Sequence, residues 1–274
     1  MNRILRTIAS VALLASALSV SAQEKTIVFA DWNIRSFEKS IGAGHNIVPV
    51  DEYVEFIKTF NADIITFNEF ETVTSREGAE KMAEVAKELG MFGYFIESYP
   101  KGGDGFYGNV ILSKWPIINT ASRQMTYKNY KGEGYYQFNS DTELEQYGAD
   151  QRSVGYADIL VPVSATESKI LRVVSSHFDH MGAESVRTRQ ASESVEFAGL
   201  ANPPYPTVMM GDLNTSRESV LQPLFAVGDH IGYYWVDHVF TFPKGKFTKV
   251  DWKSPNSGPL SDHEPVIATL KVTL

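Results

Sequence analysis

The stretch Val208-Met209-Met210-Gly211-Asp212-Leu213-Asn214-Thr215 limits what this chain can fold into more than any other. An uncharged apolar run bounded by turn residues reads as a strand buried on both faces. It leads through a glycine straight into a carboxylate and an amide. Strand side chains repeat every second residue, so Asp212 and Asn214 point to one side, into one crevice. A single Gly-Asp-x-Asn is most simply a strand followed by a turn. The pattern recurs, and the recurrence carries the argument: residues 26–34 read as a buried strand ending at Asn33, residues 62–70 as one ending at Glu69, and residues 170–180 as one ending in His177, Asp179 and His180.

The rest of the chain fills in around these runs. Val50 to Phe60 places Tyr53, Val54, Ile57 and Phe60 at helical spacing, with Asp51 and Glu52 in the first turn. A second helix opens at Thr74 or Ser75, carries Met82, Val85, Ala86 and Leu89 inward, and closes at Gly90. A third runs from Glu184 to Leu200, with Arg187, Arg189 and Gln190 on a solvated face, and a short one follows Thr215 or Ser216 through Phe225. Phe92 to Glu97, residues 108–117 and residues 154–163 read as strands, as do the aromatic-rich residues 233–240 containing Asp237 and the segments 247–252 and 266–274. The glycine-rich residues 101–105 lack the Lys-Ser/Thr and helix start of a phosphate loop and read as a turn. Residues 39–48 read as a loop, and the polar, tyrosine-rich residues 126–150 as a long surface excursion suited to shaping substrate choice.

About nine strands thus outnumber about four helices without strict alternation, and the short Ala165–Ser168 connection implies an antiparallel hairpin. The fold class expected is α+β: two mixed β-sheets packed face to face with helices outside, a four-layer α/β/β/α sandwich. Residues 1–22 have two arginines, an apolar core too short to span a bilayer and a small-residue end, the pattern of a secretory signal peptide. The expectation is a signal over 1–22, one domain over 23–274, export to the periplasm or exterior, no transmembrane span, and a monomer. Cysteine is absent, which excludes disulfides, thiolate metal sites and cysteine nucleophiles. The net charge of −8 becomes two units more negative without Arg3 and Arg6, which disfavours nucleic acid as a partner.

The strand-end polar residues are Asn33, Glu69, His177, Asp212, Asn214, Asp237, Asp262 and His263. A sandwich could bring them to one crevice. Hard oxygen donors such as Glu69 and Asp262, with amide oxygens, suit Mg²⁺, Mn²⁺ or Ca²⁺ better than zinc. His263 is a candidate acid/base, which an acid such as Asp237 could orient through one ring nitrogen.

These segments together resemble the endonuclease/exonuclease/phosphatase superfamily, the fold of the DNase I-like enzymes, apurinic endonucleases, sphingomyelinases and inositol-polyphosphate 5-phosphatases. The resemblance runs from Asp31 to the C terminus and rests on seven blocks in order: Trp-Asn-Ile at 32–34, Asn68-Glu69, Gly-Asn-Val-Ile-Leu-Ser at 108–113, Ser-His-Phe-Asp-His at 176–180, Gly-Asp-Leu-Asn at 211–214, Val-Asp-His-Val-Phe at 236–240 and Ser-Asp-His-Glu-Pro at 261–265. It implies a divalent-metal-dependent phosphoester hydrolase using in-line water attack. By the same resemblance Glu69 is the principal metal ligand, helped by Asn33 and Asp262, with Mg²⁺ the first choice of ion. Asp212 matches the residue that positions or deprotonates water, Asn214 an amide on a phosphate oxygen, and His263 the histidine at the scissile phosphate, oriented by Asp237. His177 matches a phosphate contact or leaving-group donor, while Asn109, Arg152 and His180 are further phosphate contacts.

The resemblance stops short of the substrate. No Arg/Lys-rich loop for gripping a duplex is evident, the acid expected to buttress His177 in a DNase-like branch is missing, with Tyr107 close to its place, and the Trp-Cys-Asp-Arg block of 5-phosphatases is absent. A phosphodiesterase acting on a small, lipid-head-group or nucleotide-type phosphate is the leading expectation. The alternatives are a secreted non-specific nuclease and, from another class, a non-catalytic surface-binding module on the same fold.

Overall fold

The computed structural model describes residues 23–38, 49–74, 80–102, 105–125, 151–181 and 183–274. The signal-peptide reading, the 39–48 loop, Ser75 as a helix cap and the tyrosine-rich excursion fall outside the described residues. Strand β1 (Glu24–Asn33) pairs parallel with β2 (Ile64–Thr72) and antiparallel with β12 (Val266–Thr273). With β3 (Phe92–Pro100), β4 (Phe106–Ser113) and β11 (Phe247–Lys253) they form a six-stranded sheet of order β11-β12-β1-β2-β4-β3. A second six-stranded sheet has the order β5-β6-β7-β8-β10-β9, from β5 (Ile117–Gln124), β6 (Ser153–Pro162), β7 (Ser168–Ser176), β8 (Thr207–Asp212), β9 (Asp229–Tyr234) and β10 (Asp237–Phe242). Only β1/β2 and β7/β8 run parallel, one pair at the centre of each mixed sheet.

Burial follows from the two-residue period. Val208 and Met210 of β8 point between the sheets, where they join Phe29, Ile64, Ile111, Leu171, Val173 and Val239. Met209 points the other way, packing with Val174, Phe240 and Phe242 against Ala191 of α3 (Glu184–Ala198) and Leu224 of α4 (Gln222–Val227). Under α1 (Val50–Lys58) and α2 (Lys81–Leu89), Trp32, Phe67 and Phe70 meet Tyr53, Ile57 and Val85. Each such side chain is worth ~2 kcal/mol in area removed from water, which is how a cysteine-free domain holds two sheets and two outer helical layers together. The expected four-layer sandwich is the fold observed.

Several element boundaries differ from the sequence reading, each for a local reason. Twelve strands occur among the described residues, because the run 108–117 breaks around Pro116 into β4 and β5, and the aromatic run 233–240 is a hairpin turning at Trp235-Val236. Helix α2 starts at Lys81 because the Thr74 hydroxyl donates to Glu71 Oε2 at 2.8 Å instead of capping. Helix α4 starts at Gln222 because Thr215 Oγ1 accepts the Arg217 N–H in a turn. Gln190 is not on a solvated face: it is 2% exposed, and its Oε1 accepts the Asp179 N–H at 2.8 Å, while Arg187 donates to Asp179 O.

Gly211 marks where β8 passes hard against β7. A Cβ at this position would lie 1.9 Å from Ser176 O, on a backbone with φ of 154°. Gly211→Ala is expected to cost at least about 2–3 kcal/mol and lower the Tm measurably by calorimetry, because neither strand can move without opening the core.

A buried histidine pair predicts acid sensitivity. His238 Nε2–H donates to Thr215 O at 2.8 Å, so its Nδ1 accepts from His230 Nε2 at 3.1 Å, and both rings are held neutral. Burial first, and then the neighbouring His230, lower the His238 pKa to about 3; burial and Lys249 lower that of His230 to about 4. A group depressed below its unfolded value of ~6.5 contributes full stability above that pH and loses it as the pH falls toward the folded value. Tm should therefore drop progressively between pH 6.5 and 4, and His238→Gln should flatten that limb of the Tm-against-pH curve.

Candidate active site

The ends of β1, β2, β7, β8 and β10 meet at one edge of the sandwich, around a cleft of about 340 Å³ lined by Glu69, Arg152, His177, His180, Asp212, Asn214 and His263, among others. Local backbone sets the entry of each side chain. The β2/β4 register slips between Phe67 and Phe70, and within this bulge Glu69 adopts a left-handed backbone with φ of 56°. The bulge sends Glu69 into the cleft and leaves Asn68 pointing between the sheets. Asn214 is also left-handed, with φ of 49°, and so are Arg35 and Ser36 on the cleft wall. Such conformations cost ~1 kcal/mol or more for non-glycine residues and gather where the surrounding structure imposes them.

Asp212, 1% exposed, is the hub. Its Oδ2 accepts from Asn33 Nδ2 at 2.9 Å and lies 3.4 Å from His177 Nε2 and 3.7 Å from His263 Nε2, while its Oδ1 accepts the Asn214 N–H at 2.9 Å. Asn33 Nδ2 also reaches Glu69 Oε1 at 3.2 Å, so one amide nitrogen touches both carboxylates. The Asn33 oxygen faces the Arg35 N–H at 3.0 Å, which turns the amino group rather than the oxygen toward the acids.

Asp237 faces Asp212 across the β8/β10 ladder. Its Oδ2 accepts from His263 Nδ1–H at 2.9 Å, and its buried Oδ1 has no partner among the described residues. Burial disfavours the His263 cation. The Asp237 hydrogen bond and the charges of Asp237, Asp212 and Asp262 outweigh it and push the His263 pKa up to about 9. Burial pushes Asp237 in the same direction. The ring is braced from behind by its own backbone, whose carbonyl accepts from Trp32 Nε1 at 2.9 Å, and it packs against Trp235 with ring centroids 4.7 Å apart and planes tilted by 46°. Trp235 is 58% exposed on a left-handed turn, φ 54°.

On the opposite wall, Arg152 forks to two histidines, with Nη1 3.0 Å from His177 Nδ1 and Nη2 3.2 Å from His180 Nδ1. A guanidinium only donates, so His177 Nδ1 keeps its lone pair and the ring is neutral. Burial, then the charges of Arg152, His263 and His180, hold the His177 pKa well below its ordinary value. Asn214 Nδ2 donates to Phe178 O at 2.9 Å and sits 3.0 Å from His177 Nε2.

Not every sequence candidate lines the cleft. Asn109, 1% exposed, lies behind it, held by Asn68. Asp262 is exposed and edges a separate hollow with Tyr234, Trp235 and Glu264; it reaches the cleft only through Arg35, 3.8 Å away. Sequence reasoning missed Arg35, Ser36, Glu38, Tyr99 and Lys101 as cleft residues. Arg35 and Ser36 directly follow the Trp-Asn-Ile block and Lys101 opens the glycine-rich stretch read as a turn; Glu38 and Tyr99 come from segments with no signal.

Asp212, Asp237 and His263 offer donor atoms within 4.8 Å of one another, a grouping able to hold a cation. The hydrogen bond already joining Asp237 to His263 argues that the hard carboxylates Glu69 and Asp212, touched by a common amide, are the better seat. Burial raises the Glu69 pKa against the pull of Arg152 and Asn33, so a cation there would relieve a carboxylate short of water. The donor set fits a divalent ion of the Mg²⁺ or Ca²⁺ type.

Residues 32–263 match the model of the Endonuclease/Exonuclease/phosphatase family. The chain belongs to that family. No curated protein matches it significantly in sequence. Among solved structures it is similar to an endonuclease/exonuclease/phosphatase from Beutenbergia cavernae, with a TM-score of 0.67 and 17% identity over 90% of this chain and 72% of that one. A second, from Bacteroides vulgatus, gives 0.64 and 18% over 90% and 99%. A mannosyl-6-phosphatase of Bacteroides thetaiotaomicron gives 0.58 and 12% over 89% and 99%. At these identities the likeness is one of fold. No helix among the described residues is long and apolar enough to cross a membrane.

The Arg152 fork yields a direct test. Arg152→Ala removes the largest charge acting on His177, so the His177 imidazole pKa should rise toward its ordinary value, read from histidine NMR shifts across a pH titration.

Proposed function

We propose that this chain is a divalent-metal-dependent phosphoester hydrolase, most simply a phosphodiesterase, with the Asp212 cleft as its active site. The observation that carries the proposal is the convergence on Asp212 Oδ2 of Asn33, His177 and His263, drawn from three separate segments, at 2.9, 3.4 and 3.7 Å. A phosphoester resists hydrolysis because its own negative charge repels a nucleophile, so catalysis needs a positioned water, charge neutralisation and donors for the developing charge.

In this reading Asp212 Oδ2 orients the attacking water and takes up its proton. His263, held charged by Asp237, donates to the phosphoryl oxygens. His177 and Asn214, the former set by Arg152, hold the remaining phosphoryl oxygens, and His180 stands at the mouth as a further contact. Glu69 is the principal ligand of the cation, with Asn33 aligning it to Asp212, and Asp262 acts by its charge on His263. The bound ion supplies neutralisation of the phosphoryl group. Trp235, exposed against His263, forms a wall for the esterified group.

The acidic balance supports a small substrate over a nucleic acid. The fold shared with a sugar-phosphate phosphatase is a reason to include a monoester among the substrates tried. Export ahead of a cleaved segment 1–22, leaving one monomeric domain over 23–274, completes the reading.

The purified protein with Mg²⁺, Mn²⁺ or Ca²⁺ should hydrolyse at least one of bis-p-nitrophenyl phosphate, sphingomyelin, mannose 6-phosphate, RNA and plasmid DNA. Chelation should abolish turnover, and adding back the ion should restore it. Asp212→Asn and His263→Ala should each lower kcat by at least about a hundredfold while leaving the circular dichroism spectrum unchanged. An inactive wild type on every substrate would favour the non-catalytic binding module. Activity retained in both variants would remove the mechanism.

A further inference from the structure

We infer that Glu71 is a positioning residue of the cation seat, a buried carboxylate that holds the β2 bulge in the shape that sends Glu69 into the cleft. The inference rests on the hydrolase reading, in which Glu69 is the principal ligand of the ion. Glu71 is fully buried. Its Oε1 accepts from Ser36 Oγ at 3.0 Å and from Lys101 Nζ at 2.6 Å, and its Oε2 from Thr74 Oγ1 at 2.8 Å. One carboxylate thereby ties together the turn after β1, the chain leaving β2 and the connection between β3 and β4.

The route from Glu71 to Glu69 runs through the backbone. The β2/β4 register skips Asn68 and Glu69, and the carbonyls of both are met from the segment after β1. The Ile34 N–H donates to Asn68 O at 3.1 Å, and Ser36 Oγ lies 3.1 Å from Glu69 O, its proton shared between that carbonyl and Glu71 Oε1. The peptides on either side of the left-handed Glu69 are thus held from residues 34–36, and Ser36 is itself left-handed, with φ of 53°. A serine keeps that conformation only while its neighbours impose it, and the Glu71 carboxylate is the buried partner fixed against its hydroxyl. The affinity of a metal site depends on the groups that orient a ligand as well as on the ligand itself.

The test is Mn²⁺ binding to the purified protein without substrate, followed by electron paramagnetic resonance, with thermal unfolding as the control. Glu71→Met is close in volume and leaves Lys101, whose side chain is 26% exposed, free to turn to solvent, so it should fold. It and Ser36→Ala should each raise the Mn²⁺ dissociation constant about tenfold, and the double variant should lie within about threefold of either single one, because both cut the same route. Glu71→Gln keeps an acceptor for Ser36 and can turn its amino group to the Thr74 hydroxyl, so it should bind Mn²⁺ within about threefold of wild type. Wild-type affinity in Ser36→Ala, or losses that multiply in the double variant, would overturn the inference. So would the same loss in Glu71→Gln, which would put the effect down to charge. A lowered Tm in Glu71→Met with Mn²⁺ affinity unchanged would make the residue purely structural. If Glu71→Met does not fold, Ser36→Ala and Glu71→Gln decide between them. A wild type that takes up no Mn²⁺ would remove the cation seat itself, and the inference with it.

Discussion

A carboxylate sealed into the seam between two sheets is stable only when donors close around it, and the architecture at this edge of the molecule answers to that requirement at Asp212. An unpaired buried charge would cost several kcal/mol. Asn33 Nδ2 and the Asn214 N–H supply direct hydrogen bonds, and two imidazoles stand within 3.7 Å. No single strand could provide such a set, because consecutive side chains on a strand face opposite ways. The donors come instead from β1, from the turn after β8, and from the loops after β7 and before β12. Two mixed sheets whose central parallel pairs end at the same edge are a geometry that delivers them.

The same requirement accounts for the strained backbone that borders the cleft. Glu69, Asn214, Arg35 and Ser36 all have left-handed conformations and all border the cleft. In each case neighbouring bonds hold the conformation: Asn214 is fixed by Asp212 Oδ1 and by its own bond to Phe178 O, and the Ser36 hydroxyl donates to Glu69 O at 3.1 Å. The bulge in β2 is the clearest case. It breaks the ladder for two residues, and in exchange one faces the cleft as Glu69 and the other bridges the sheets as Asn68, a division that a regular strand could not make with adjacent positions so well satisfied.

The sequence carried the layers and most of the hub legibly, because both rest on periodicity and on polar residues placed at the ends of apolar runs. Val208 to Met210 had to be a two-faced strand, and Asp212 had to stand at its end. What the sequence did not carry was anything decided by a neighbour's bond. The aromatic run at 233–240 has continuous strand character, yet it folds back at Trp235 because pairing with β8 is better served by a hairpin. Gln190 reads as a surface glutamine until the Asp179 N–H is found on its oxygen. Asp262 stands one residue from His263, but the chain bends at 262–263, with the His263 N–H on Ser261 Oγ, so His263 enters the cleft and Asp262 faces the hollow beside it. The amide direction of Asn33 was likewise invisible, since the Arg35 N–H sets it.

Charge at the cleft mouth bears on the kind of substrate that can enter. Among the described residues three lysine or arginine side chains line it, and each already faces a partner within the protein. Lys101 Nζ pairs with the fully buried Glu71 at 2.6 Å, Arg35 leans toward Asp262, and Arg152 is turned onto two histidines. A polyanion binds by laying successive phosphates along free cations and releasing their counterions, and its affinity scales with the number of phosphates so neutralised. Cations already facing carboxylates or holding imidazoles supply little of that. What remains is a short-range set of donors around one point, His263, His177 and Asn214 about Asp212, which in the proposed reading serves a single phosphoryl group rather than a chain of them. In the proposed reading the acidity of the whole molecule and the pairing among the described cleft residues act in the same direction, both favouring a small phosphoester over an extended polyanion.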